Sequence, residues 1–151
     1  YKLEWLKKRL DLDDGEISKI IRKFPTLLGL SIDDNLEPKL EWIGDRLSLT
    51  EEDLSDFVRK FPTILGLSID DNLEPTLNFY IDALENEQDA LALVASNPSL
   101  FAYSLENRLE PRLEEALHAG ITVNAGSLRR MGQYTEDQWY GFLLKELLLM
   151  N

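Results

Sequence analysis

Residues 22–38, RKFPTLLGLSIDDNLEP, return 37 positions later at 59–75 with a single change, Leu27 against Ile64. A looser copy follows 36 positions on, with NPSLF at 97–101 and SLENRLEP at 104–111. No other feature of the chain limits its fold as strongly. Tandem copies at a fixed period of this size read as a repeat array, in which each copy is one supersecondary block. Such a block cannot bury its own apolar side and leans on its neighbours. The register extends beyond the duplicated core, because Leu3-Glu4-Trp5-Leu6 answers to Leu40-Glu41-Trp42-Ile43 and to Leu77-Asn78-Phe79-Tyr80.

Periodicity makes the blocks helical. Leu3, Leu6 and Leu10 share one helix face, and Ile17, Ile20, Ile21 and Phe24 give a second stripe that Pro25 stops. Residues 26–30 suit one short turn. Ser31 with Asp34 three positions on reads as a helix start, and Ile32, Leu36, Leu40, Ile43 and Leu47 then run through Pro38 as one stripe. That continuity predicts a bent helix over 32–47. The second and third blocks repeat the logic, the long helix of the third carrying Leu105, Leu109, Leu113, Ala116 and Leu117. Residues 120–126 read as a loop and 127–131 as a short turn. The box Thr135-Glu136-Asp137-Gln138 opens a last helix at 136–149 that is apolar almost all round. The expectation is an all-α, curved helical-repeat solenoid forming a single domain over 1–151. Its repeats fall at about 3–39, 40–76 and 77–112, with a degenerate cap at 113–151.

Sixteen Lys and Arg stand against 28 Asp and Glu, a net charge of −12, so a polyanion meets a repulsive field unless a local basic stripe exists. Cysteine is absent and His118 is the one histidine, which leaves no material for a thiolate or histidine metal cluster or a His-dependent triad. The acidic pairs Asp33-Asp34 and Asp70-Asp71 could suggest metal or acid–base work, and Asp33, Asn35 and Glu37 fall at alternate positions like the opening of a calcium loop. But Pro38 stands where the loop glycine belongs and Gly44 where the acidic twelfth ligand belongs. Acids at helix starts account for them. Phosphate-cradling glycine motifs are missing as well, and no enzyme is expected. The longest apolar runs, 90–95 and 142–150, fall short of the roughly 18 residues of a membrane span.

Three surfaces could bind. Arg22-Lys23 and Arg59-Lys60 recur at one place in successive copies, and Arg108, Arg112, Arg129 and Arg130 follow; stacked, they would make a basic ladder along a phosphate backbone. The last helix offers Trp139, Tyr140, Phe142, Leu143, Leu147 and Leu148 to another protein, if it does more than seal the core. Asp33, Asp34, Glu37 and Glu41, with Asp70, Asp71 and Glu74, make a repeated acidic ladder that would meet a basic protein surface. Trp5, Trp42 and Phe79 occupy equivalent places and read as core.

At Phe24-Pro25-x-Leu27-Leu28, then Ser31-x-x-x-Asn35-Leu36-x-Pro38-Lys39-Leu40-x-Trp42-Ile43, the chain resembles the mitochondrial transcription termination factor (mTERF) family. The resemblance covers residues 3–117, with departures at Asn97-Pro98 and Arg108 in the third copy. It implies a curved all-α array found in mitochondria and chloroplasts, often bound to nucleic acid, with no catalysis and no cofactor. Weighed with the acidic charge, the expectation is a protein-binding scaffold or linker subunit of an organellar assembly, with DNA or RNA binding as the alternative.

Overall fold

The computed structural model describes residues 1–150, and among them every regular element is helical. The chain divides into two compact units, residues 1–73 and the part from Glu74 onward.

The first unit holds α1 (Lys2–Leu10), α2 (Asp14–Lys23), α3 (Glu37–Arg46) and α4 (Glu51–Lys60). Asp13 caps α2 in a reciprocal box with Glu16, and the Thr50 side chain accepts from the Asp53 N–H at the start of α4. Phe24-Pro25 and Phe61-Pro62 stop α2 and α4, and each proline opens a 3-10 turn, Pro25–Gly29 and Pro62–Gly66. Leu6, Leu10, Ile20, Leu27, Leu36, Leu40, Ile43, Leu54, Val58 and Ile64 are almost wholly shielded from water. Burial of this kind, at roughly 25 cal/mol per Å² of apolar surface, outweighs the weak propensity of helices only about ten residues long.

At Pro38, where a bent helix is expected, the chain shows a local widening of the helix. Residues Ile32–Leu36 make a wide π turn that runs directly into α3, with Leu36 and Glu37 both in right-handed helical geometry. The Leu36 N–H donates to the Ser31 carbonyl and the Glu37 N–H to the Ile32 carbonyl, each five residues back. Proline has no N–H to give and its ring collides with the carbonyl four residues earlier, so widening the turn just before it removes both problems. The same π turn recurs at Ile69–Leu73 and Leu105–Leu109, each followed by a proline two residues on.

In the second unit are α5 (Glu74–Leu84), α6 (Glu87–Ser96), α7 (Glu110–His118), α8 (Ala125–Gln133) and α9 (Glu136–Leu149), with a 3-10 turn at Pro98–Phe101. Its core gathers Leu77, Tyr80, Ala90, Val94, Leu100, Leu109, Ala116, Leu128, Met131 and Trp139. Residues 125–133, expected as loop and a short turn, form a full helix. Asn124 caps it in a box with Ser127, and Leu128 and Met131 are inserted into the core. Buried Gly132 lets Tyr103 approach, since a Cβ there would lie 2.6 Å from the Tyr103 Cδ2. Packing thus holds a segment whose two glycines weaken its intrinsic helix signal.

One backbone feature marks the repeat directly. Asp11, Ser48 and Glu85 adopt left-handed φ angles of 53°, 55° and 55°, and Gly120 follows at 74°. Each residue stands just beyond or near the end of a long helix, where a left-handed residue turns the chain and frees it for the next element.

Candidate functional site

The eight basic candidates fall into two groups. Arg22, Lys23, Lys60 and Arg129 are exposed. Arg22 and Lys23 close α2 and Lys60 closes α4, where cations complement the negative helix pole. Arg59 stands 37 positions after Arg22, but it is ion-paired with Glu16 and Asp56. Arg22 has Lys19, not an acid, at the place of Asp56, and its Nη2 donates instead to the Ser18 hydroxyl at 3.1 Å. The expected equivalence of the two arginines therefore breaks at the level of their partners.

The remaining three serve the second unit internally. Arg108 donates to the Gly132 carbonyl at 2.7 Å and lies 5.5 Å from the Tyr103 ring centre. Arg130 lies over Phe142, at 5.0 Å. Arg112 is buried, which corrects the expectation of a surface contact. Its Nη1 donates at 2.7 Å to the carbonyls of both Met131 and Tyr134, and the guanidinium sits 5.7 Å from the Trp139 ring centre. Burial first, and then the charge of Arg108, push its pKa below the usual arginine value. Two carbonyls at the C-terminal end of α8 are satisfied this way, in place of the helix bonds they lack.

A pattern emerges that sequence reading missed. Lys2, Lys39 and Arg112 occupy the same repeat position: Lys39 and Arg112 follow the proline of the first and third copies, and Lys2 stands 37 positions before Lys39. Lys2 Nζ donates to the Leu28 carbonyl at 2.6 Å, and Lys39 Nζ to the Leu65 carbonyl at 2.7 Å. Each bond spans 26 residues and ties the first turn of a helix, α1 or α3, to the next 3-10 turn along the chain. Lys39 is buried, and desolvation lowers its pKa. Thr76 holds the position in between and is too short to reach; in that helix the Tyr80 hydroxyl donates to the Leu100 carbonyl at 2.8 Å. A cation recurring beside the repeat proline was the available signal, and its natural reading was a surface charge.

The last helix also divides. Trp139 is only 1% exposed and is part of the core, so it leaves the surface set; its ring lies against Phe142 and Arg112. Phe142 and Leu143 are half-buried. Tyr140, Leu147 and Leu148 are exposed, and the structure adds Leu144, 60% exposed, on the same stripe. Leu149 and Met150 are exposed as well, but helical spacing places them off that stripe. Tyr140 is tied by its hydroxyl to Glu115, whose charge raises the phenol pKa.

Of the acidic ladder, Asp33, Asp34, Glu41, Asp70 and Asp71 are exposed, whereas Glu37 is held by Arg9 at 3.0 Å. Trp5, Trp42 and Phe79 are half-buried. No group of three or more His, Cys, Asp or Glu among the described residues has the geometry to hold a metal ion. None of the described helices is long and apolar enough to cross a membrane.

Comparison with curated proteins gives no match. The family model for mTERF matches residues 1–139, which takes in the duplicated segment, the looser third copy, α8 and the start of α9. With the proline-opened 3-10 turns and the helices around them, that match establishes that the chain belongs to the mTERF family.

Proposed function

We propose that the chain is a non-catalytic helical-repeat scaffold or linker subunit of an organellar assembly, docked on a protein partner through α9. One observation carries this reading. Tyr140, Leu144, Leu147 and Leu148 form a continuous exposed stripe, at 49%, 60%, 39% and 67% exposure, on a helix whose opposite side is sealed by Trp139. A single exposed leucine needs no explanation, but an unbroken apolar face does. Nucleic-acid binding is the second reading, favoured by exposed Arg22, Lys23, Lys60 and Arg129. It has fewer cations to draw on, because Arg59, Arg108, Arg112 and Arg130 are engaged within the chain.

Cross-linking of the native assembly through Lys145, followed by mass spectrometry, tests the proposal. Lys145 lies on α9, so cross-links from it to one stoichiometric partner are expected, together with loss of that partner in Leu144→Glu/Leu148→Glu. Titration with duplex DNA and structured RNA decides the alternative. Micromolar affinity that collapses on raising salt from about 50 to 200 mM, and that Arg22→Glu/Lys60→Glu abolishes, would sink the protein-docking reading.

A further inference from the structure

The second unit contains an apolar groove of about 580 Å³ between α5 and α7. Phe79, Leu105, Leu113 and Leu117 supply its floor, and Leu117 is 60% exposed, so nothing among the described residues covers it. Its rim is of one sign. Asp82 and Glu85 stand on the α5 side, Glu110 and Glu114 on the α7 side, and no Lys or Arg lines the groove. All four carboxylates are exposed, and the interactions found among the described residues give none of them a cationic partner. The comparable position in α1 is Lys8, in α3 Asp45 and in α5 Asp82, so the charge of this edge changes along the repeats.

Apolar floor and anionic rim together select the occupant. A nucleic acid is repelled by four clustered carboxylates. A neutral apolar segment would fill the floor and leave the rim uncompensated. An amphipathic helix satisfies both, since its apolar stripe enters the trough between two helices while flanking Lys and Arg meet the carboxylates. We propose that this groove is the docking site for a short basic amphipathic helix of a partner protein. The proposal rests on the protein-binding reading above and gives that partner a chemical description.

The test uses the full chain and a fluorescein-labelled peptide of roughly 16 residues, built from Leu at helical spacing with Lys on the remaining positions. One control replaces every Lys by Glu, and another keeps the composition but breaks the apolar stripe. The Leu/Lys peptide is expected to bind with micromolar Kd at low salt and to weaken about tenfold between roughly 50 and 200 mM. Asp82→Lys/Glu114→Lys should cost at least about tenfold in affinity. Leu117→Glu, at an exposed position, should weaken it as well and serves as the second variant if the double reversal alters folding. Leu144→Glu/Leu148→Glu should leave it unchanged. Absence of binding, equal binding of the stripe-broken peptide, or retention by both groove variants overturns the proposal. Loss confined to Leu144→Glu/Leu148→Glu would move the basic helix onto α9, overturning the groove and sparing the protein-binding reading. Lys145 cross-links judge that reading separately.

Discussion

Arg112 offers the sharpest test of how the second unit is held together. Replacing it by Met keeps most of the stem and removes both 2.7 Å bonds to the Met131 and Tyr134 carbonyls. A bond from a charged donor contributes about 1.5–3 kcal/mol, so the pair contributes about 3–6 kcal/mol before desolvation is counted. Burial already lowers the Arg112 pKa, and relief of that desolvation by Met offsets part of the loss. The net cost is about 2–4 kcal/mol, or a fall in Tm of roughly 5–15 °C for a chain of this size. Both bonds leave Nη1, so Arg112→Lys keeps a charged donor nitrogen but loses the planar guanidinium that lies by Trp139, and should lose about half as much. Urea melts followed by far-UV circular dichroism give the energies. Trp139 emission, read in a Trp5→Phe/Trp42→Phe background, reports on the ring that the guanidinium covers. A change in stability below about 0.5 kcal/mol for Arg112→Met would refute the clip, and loss of nucleic-acid affinity without loss of stability would return Arg112 to the binding surface.

Two further perturbations follow from the same structure. Burial raises the Tyr80 phenol pKa well above its ordinary value, so the folded chain keeps a proton that the unfolded chain releases from about pH 10. This contribution is fully present below pH 10 and lost as pH climbs beyond it; Tyr80→Phe should flatten that alkaline decline in pH-dependent urea melts, and an unchanged slope would count against a buried neutral phenol. Ser48 holds a left-handed φ of 55°, a conformation that costs a β-carbon-bearing residue roughly 1–2 kcal/mol. Ser48→Gly should therefore stabilise the chain by about 0.5–1 kcal/mol in the same melts despite glycine's greater unfolded freedom, and a loss of stability would contradict a strained turn.

Much of the architecture was open to inspection in the chain itself. Near-identity at a fixed offset required the same elements to recur, and stripes such as Leu36, Leu40 and Ile43 mark the face that is buried. Caps at Asp13, Thr50 and Thr135 act within three residues, so local chemistry sufficed to place helix starts. Residues 125–133 escaped notice because Gly126 and Gly132 blur the pattern, while the contacts that hold this helix come from distant Leu100 and Tyr103.

What the sequence by itself determined was an all-helical repeat with proline-punctuated blocks, because periodicity and capping are properties of neighbours along the chain. Tertiary structure alone decided which charges and aromatics remain available. Arg22 and Arg59 are the same residue at the same repeat position, yet Glu16 and Asp56 claim only one. Arg112 and Trp139 read as surface groups until folding placed each against the other and against the end of α8. The physical reason is that a side chain's exposure and its partners depend on elements dozens of residues away, and a local pattern carries no record of them.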